Sequence, residues 1–533
     1  MKKISFIFLI SFFLNQLVQS QSINLSWGPE KKIEKDITEY GFVGQVGEHF
    51  YTFSLNEKIG ILSKFRQDNM SKVFDKTINW DDSKRNNNSK NLTVYGMRYF
   101  RNNFVMLAKD IDKKLDKEII YGQKLNQDGN AEGQFLKLDE RTTDRRSRDG
   151  SFQIEYADDS SDFLVVKHPS YEKYADEKFN FKIFNADLKL LQNLEITLPF
   201  KDKNFSVSEI HLSRSNIIYI LAKIDVPRED AKKDEARHYY QIVSVDAANG
   251  ATVKQYDLKL DSRYIDEVTM RIDKNENVKC LGFYSDLKEN GRPKEGLNGL
   301  FYFGLNKANK QVENVSIKEF TKALVEELSG KRRAKKEKGL ESTFKLKYFL
   351  EKNDGSSIAL VEEDYVEVVT TYTTNANGGS TRTTTYYYHN NEILAIYIDA
   401  AGKINQFVTI PKSQVSTNDG GIYNSFYATQ FNDKTYLVYN DDRENATNKD
   451  FKNTMYSVFK SKPVVIILSN SGKYEKSVLG DVNGKTEFAI RPRLTDKISD
   501  ASAIFYAYRL NKGCCCLIGK KNRTSRFGLL TIK

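Results

Sequence analysis

Five histidines, His49, His168, His211, His238 and His389, are the first side chains in this 533-residue sequence to test for chemistry. No two of them form an HxxxH or HExxH pair, the spacing that brings two imidazoles to one helix face around zinc. Adjacent carboxylates occur at Glu362-Glu363 and Asp441-Asp442, but the two acids of a glycosidase are matched by separation in space, not by adjacency. Asn440-Asp441-Asp442 leads into a loop rich in Asn and Asp without the DxDxDG ladder of a calcium loop, so it reads as an ordinary loop. Of the four cysteines, Cys514, Cys515 and Cys516 are consecutive and Cys280 stands alone. On one strand Cys514 and Cys516 would share a face about 6.5–7 Å apart, too far for a relaxed bridge, and no CxxC pair offers a zinc site. The GxSxG elbow, the Walker loop and the dinucleotide glycine motif are missing as well. The expectation is a chain with no recognisable catalytic, metal or cofactor residue.

The first residues bear on the compartment. Met1, Lys2 and Lys3 precede an apolar run from Ile4 to Leu14, and Val18-Gln19-Ser20 supplies the residues a signal peptidase reads. This predicts a signal peptide over 1–20 with cleavage before Gln21. The run is shorter than the roughly 20 apolar residues that span a bilayer, and no later segment has that length. The mature chain is expected outside the cytoplasm (periplasmic, on the cell surface or extracellular), without a transmembrane segment and as a monomer. Lys and Arg outnumber Asp and Glu by 82 to 71. These charges are dispersed, which describes a solvated surface and argues against a nucleic-acid partner.

One pattern recurs along the whole chain: a polar or turn residue, an apolar run, then Lys, Gly or an acid. It stands at 48–53, 103–109, 162–167, 216–223, 277–282, 357–362, 434–439 and 513–519, roughly 54–80 residues apart. Asn216-Ile217-Ile218-Tyr219-Ile220-Leu221-Ala222-Lys223 is typical. Such runs do not alternate, as expected of a strand buried on both faces. Between them fall tight turns carrying Asn, Asp or Gly, at 53–56, 124–129, 183–187, 245–250, 303–306, 398–402 and 468–472. These residues suit hairpin turns because they tolerate positive φ and bond to their own backbone. Two hairpins per repeat give four strands, the blade of an all-β propeller. The reading is one propeller over 21–533 with about eight four-stranded blades, seven being the alternative. The lone strand Ile23-Asn24-Leu25-Ser26-Trp27 would complete the last blade beside Phe527-Gly528-Leu529-Leu530-Thr531-Ile532 and remove an open edge. The cysteines then fall in apolar strands, where a free thiol packs as a small hydrophobe.

Two segments depart from the repeat. A helical basic insertion is predicted over 316–340, with Ser316 and Glu319 as a capping box and Ile317, Phe320, Leu324 and Leu328 as an apolar stripe. Its tail carries Lys331, Arg332, Arg333, Lys335, Lys336 and Lys338, most simply a solvated linker, otherwise a docking site for an acidic partner. The second is an extended hairpin over 366–389, alternating through Val366, Val368, Thr370, Tyr372 and Thr374 and back through Thr381, Thr383, Thr385 and Tyr387. Tyr372, Arg382, Tyr386, Tyr387 and Tyr388 make it the candidate partner-contact surface, since tyrosine combines an apolar face with a hydroxyl.

The stretch Asp354-Gly355-Ser356-Ser357-Ile358-Ala359-Leu360-Val361-Glu362-Glu363, with Glu392-Ile393-Leu394-Ala395-Ile396, Ile410-Pro411-Lys412-Ser413-Gln414 and Tyr439-Asn440-Asp441, resembles a group of exported, largely uncharacterised propeller-like proteins of Gram-negative bacteria. The likeness is clearest over 344–445. It implies the fold and an envelope or extracellular location, and brings no catalytic residues. The functional expectation is a non-catalytic binding or scaffold module for a protein or glycan. The alternative is a polysaccharide-degrading enzyme with its site in the central channel or on a rim.

Overall fold

The computed structural model describes residues 23–533 apart from 33–37, 56–58, 80–91, 113, 144–149, 234, 307–311, 337, 375–378, 448–451, 481–487 and 510–523. The predicted signal segment, residues 1–20, and Cys514, Cys515 and Cys516 lie outside the described residues. Eight antiparallel sheets of at least four strands follow one another along the chain. Blades 1 to 7 occupy residues 38–79, 93–142, 151–201, 205–258, 263–319, 344–410 and 427–478. Blade 8 combines strands from 488–532 with Ile23–Trp27. The fold is an eight-bladed β-propeller.

Seven of the predicted apolar runs are the second strands of blades 1 to 7: His49–Leu55, Asn103–Asp112, Asp162–His168, Ile217–Asp225, Val278–Asp286, Ser357–Thr374 and Lys434–Asp442. The eighth, at 513–519, lies outside the described residues, and the second strand of blade 8 is Ser502–Arg509. Its Ala503, Ile504, Phe505, Tyr506 and Ala507 are all buried. Alanines and a tyrosine in that run give it a weaker apolar signature than the cysteines do.

The packing explains why these strands are apolar on both faces. In blade 4, Ile218, Ile220 and Ala222 pack on blade 3, against Leu164, Phe181 and Ile183. The alternate residues Ile217, Tyr219 and Leu221 pack on blade 5, against Met270, Val278 and Phe301. Cys280 belongs to this second cluster as a fully buried free thiol, and burial, reinforced by Glu209, pushes its pKa up. Successive side chains of a strand point to opposite faces, so each second strand serves two neighbours.

Innermost strands of adjacent blades touch, and Thr38–Val46 lies against both Thr93–Phe100 and Phe488–Ser499, which joins blade 1 to blades 2 and 8. Phe50, Phe65 and Phe527 fill the seam between blades 8 and 1 with ring centroids 4.8–5.1 Å apart. Ile23–Trp27 pairs antiparallel with the strand Thr524–Ile532, register Ile23 to Ile532 through Trp27 to Gly528. Arg526 sits over the Trp27 ring at 4.2 Å.

The insertion departs from its predicted boundaries. Val312–Glu319 is the outer strand of blade 5, with Ser316 opposite Tyr302 and Glu319 opposite Gly299. The helices are Lys322–Ser329 and Lys331–Lys335. The N-cap is Thr321, whose hydroxyl accepts from the Leu324 N–H at 3.2 Å. Ser316 is unavailable as a cap because it is held in the sheet and its hydroxyl accepts from Ile404 N at 3.2 Å.

Ring closure generates a prediction. Deleting residues 21–27 removes the outer strand of blade 8 and bares the edge of Thr524–Ile532, a template for association. The expected outcome is a lowered melting temperature in calorimetry and a shift to aggregates in size-exclusion chromatography. A truncated chain that melts with one beginning at residue 21 would show that the strand is ornamental.

Candidate partner-binding face

In a four-stranded antiparallel meander the connection between second and third strands and the connection to the next blade leave from the same end. The other end carries short turns, tightened by side chains: Asn126 Oδ1 accepts from Asp128 N, Asn185 Oδ1 from Asp187 N and Asp399 Oδ1 from Ala401 N, each at 3.0 Å. The helical insertion, the long hairpin of blade 6 and the strap 411–426 therefore all belong to the first end.

The hairpin is built from Ser357–Thr374 and Ser380–Ile398. The first strand of blade 6, Phe344–Glu351, pairs with it only as far as Glu363, and beyond that the two arms continue as a ribbon. Cross-strand partners share a face, and the register sorts the candidates. Val366 faces Tyr388, Val368 faces Tyr386, Thr370 faces Thr384 and Tyr372 faces Arg382. On this face Tyr372 is 70% exposed, Val368 55%, Val366 48% and Tyr386 43%, and Arg382 is exposed as well. Tyr387 lies on the opposite face across from Glu367. There Tyr365 stacks on His389 with centroids 4.4 Å apart, and His389 Nε2 is 3.5 Å from Glu367. The five predicted residues are thus divided: Tyr372, Arg382, Tyr386 and Tyr388 come together, and Tyr387 does not join them.

Tyr388 is half-buried at the root. The short strand Gln414–Thr417 pairs with residues 387–390, and Asn424 Nδ2 donates to Tyr388 O at 3.1 Å. Gly421, at φ 65°, lies so close that a Cβ there would stand 3.3 Å from Tyr388 Cβ. Two exposed residues of the face, Val366 and Val368, are absent from the predicted contact set. Their even spacing, about four and six residues before Tyr372 and so on the same face of a strand, was the available signal.

Sequence reasoning also missed the root itself. Glu362 and Lys412 are fully buried and 2.9 Å apart. Glu362 further accepts from Ser425 Oγ at 2.8 Å and Asn390 Nδ2 at 3.1 Å. Lys412 donates to Asn390 O and, at 3.1 Å, to Gln414 Oε1. Gln414 Nε2 donates to Asn440 O at 2.6 Å, and Asn440 Nδ2 donates to Tyr423 O and Ile490 O, each at 2.8 Å. This network runs from blade 6 through blade 7 to blade 8. Burial pushes the Lys412 pKa below the ordinary lysine value, against the opposing pull of Glu362.

The adjacent carboxylates are committed to structure. Glu363 accepts from Asn391 Nδ2 at 2.8 Å and Thr343 Oγ1 at 3.2 Å. Asp441 is paired with Lys476 and accepts from Asn445 Nδ2 at 3.0 Å, while Asp442 accepts from Glu444 N at 3.0 Å. The basic tail is divided too: Arg333 donates to Gly339 O at 2.9 Å and Lys338 pairs with Glu295, whereas Lys331, Arg332, Lys335 and Lys336 are exposed. A cavity of about 780 Å³ lies away from the hairpin, between blades 2 and 3, lined by Tyr95, Lys109, Glu118, Arg141 and Phe152. In it Glu118 is held by Lys109 at 3.4 Å and Arg141 at 2.7 Å.

No family model matches the sequence, and no curated protein matches it. Solved structures of similar shape include prolyl oligopeptidase B from Galerina marginata (10% identity, TM-score 0.37, covering 90% of this chain and 55% of that one). A europium-containing methanol dehydrogenase is 9% identical with a TM-score of 0.40, covering 95% of this chain and 93% of its own. The β-propeller domain of the trilobed protease from Pyrococcus furiosus is 11% identical with a TM-score of 0.34, covering 84% and 97%. The chain spans little more than half of the oligopeptidase. At these identities the likeness concerns fold, and no chemistry passes from those proteins to this one.

The root network predicts an asymmetry between single and double substitution. Lys412→Met leaves the buried Glu362 carboxylate with only the more distant Lys347, 3.6 Å away, as its cation and should cost about 3 kcal/mol, the low end for a broken buried pair. Adding Glu362→Leu should restore most of that loss, because two apolar residues replace the pair. Denaturant unfolding of both variants measures it, and equal losses in the single and double variants would contradict the role given to the pair.

Proposed function

We propose that the protein is an exported, non-catalytic propeller that holds a protein or glycan partner on the outer face of its blade 6 hairpin. The observation that carries this reading is one ribbon face presenting Val366, Val368, Tyr372 and Tyr386 to solvent beside Arg382. Exposed apolar groups scattered singly need no explanation, but a contiguous set on a projecting element marks a contact surface. Aromatic residues and arginine are the types enriched at such surfaces. The rigid root supports the reading, because a pre-ordered contact surface loses less entropy on binding. Export rests on the basic and apolar start of the chain.

Two variants test it. Tyr372→Ala with Tyr386→Ala should leave stability within about 0.5 kcal/mol, as surface changes do, and abolish capture of the partner found by affinity pull-down or on a glycan array. Tyr387→Ala, on the other face, should leave capture intact. Capture that survives the first pair, or turnover of a polysaccharide panel by the wild-type protein, would overturn the proposal.

A further inference from the structure

The ribbon has a second unusual property, distinct from its exposed face: one of its edges is open. Past Glu363, residues 365–374 have no strand on the side away from Ser380–Ile398 among the described residues. The other arm is shorter in this respect, since Gln414–Thr417 covers residues 387–390 and Asn418 bonds Tyr386 through both its backbone N–H and its side chain.

Open strand edges template association, and proteins blunt them with lysine, proline or bulges. This chain does so in six of its eight blades; the outer strands of blades 6 and 8, Ile404–Ile410 and Ile23–Trp27, carry neither lysine nor proline but are short, at seven and five residues. The outer strands carry Lys72 and Lys76 in blade 1, Lys137 in blade 2, Pro199 in blade 3, Lys254 in blade 4, Lys318 in blade 5 and Lys476 in blade 7. Residues 365–374, Tyr-Val-Glu-Val-Val-Thr-Thr-Tyr-Thr-Thr, contain neither lysine nor proline and a single charge, Glu367. A long β-branched edge with a single charge is a hazard unless something specific covers it.

We propose that it is covered by the same edge of a second copy of this chain, paired antiparallel about a two-fold axis through Thr370, in place of the monomer expected from the sequence. In that register Val368 lies opposite the partner copy's Tyr372, Val366 opposite its Thr374, Glu367 opposite its Thr373 and Val369 opposite its Thr371. No like charges meet. The in-chain register extends each rung across four strands. One row reads Tyr386, Val368, then Tyr372 and Arg382 of the other copy. The central row is threonine throughout, continuing the pair Thr370–Thr384, whose hydroxyls are 3.4 Å apart. β-branched and aromatic cross-strand pairs of this kind are stabilising. Because the contact is isologous it closes at two copies instead of propagating. The shared parity keeps both exposed faces on one side, so pairing doubles the partner-binding face without covering it.

The test uses the two-fold itself. Sedimentation velocity of the full mature chain over a concentration series should show twice the monomer mass. Thr370→Lys alone and Thr370→Glu alone should each be monomeric, since each sets like charges opposite each other. An equimolar mixture of the two should recover the dimer as a mixed pair, which also shows that both variants are folded. A wild-type protein that stays monomeric overturns the proposal, as does a dimer indifferent to Thr370→Lys or a mixture that stays monomeric. Tyr386→Ala, on the other arm, should keep the dimer while losing partner capture, so failure of this inference and failure of the binding face are told apart.

Discussion

The structure depends on one constraint: the second strand of every blade is apolar on both faces, and both must be covered. A single sheet cannot do this, nor can a stack of two, because a stack leaves two faces bare. In this chain the alternation within Ser357–Thr374 sends Ala359 and Val361 into the seam with blade 5 and Ile358 and Leu360 into the seam with blade 7. Repeated eight times, the requirement is met only by a ring. The seam between blades 8 and 1 is then no less important than the others, and it is filled by phenylalanines from both. Pairing of Ile23–Trp27 with Thr524–Ile532 within blade 8 ties the beginning of the described chain to its end.

The same constraint made most of the fold legible in the sequence. A run such as Ile217–Asp225 is unambiguous because burial on both faces removes the polar residues that would mark an exposed side. Legibility failed where local composition and tertiary context disagree. Gly513-Cys514-Cys515-Cys516-Leu517-Ile518-Gly519 looks more like the repeat than Ser502–Arg509 does, yet the latter supplies the strand. Ser316 and Glu319 satisfy a capping rule, but pairing with blade 5 and the bond to Ile404 hold that segment extended and move the cap to Thr321. The hairpin and its tyrosines could be read from alternation alone. The sorting of Tyr387 away from Tyr372 and Tyr386 needed the register, which depends on where the turn falls.

The root network was invisible for a different reason. Its members, Glu362, Asn390, Lys412, Gln414, Ser425 and Asn440, span nearly eighty residues and belong to two blades and the strap between them. None is unusual where it stands in the sequence. Burying a lysine and a glutamate rarely adds stability over apolar residues of the same size, so their presence calls for another account. This is the point where a strand leaves the cover of neighbouring blades and continues as a free ribbon. An apolar core there would tolerate sliding of the ribbon, whereas a charge pair with directional hydrogen bonds to Asn390, Gln414 and Ser425 is satisfied in one arrangement. The polar root fixes the direction in which the exposed face points.

Topology also decides why elaboration is confined to one end. The turns at the other end join adjacent strands within a sheet, and lengthening one would gain no contact with the next blade. They stay short, held by Asn126, Asn185 and Asp399. The connections between blades, all at the first end, must already cross from the outer strand of one blade to the inner strand of the next, so added residues find two blades to pack on. The helices at 322–335 use this: Leu324, Val325 and Ala334 enter the seam between blades 5 and 6. The strap 411–426 uses it again between blades 6 and 7, placing Phe426 in that seam. Loop-closure entropy rises only slowly with length, so an insertion that buries even a few apolar side chains is retained at little cost. The hairpin of blade 6 stands between these two insertions, braced on one side by the strap, and among the described residues it extends past what the neighbouring blades cover. A surface open to another molecule is most readily built there, where the polar root holds the ribbon and Val366, Val368, Tyr372 and Tyr386 are exposed.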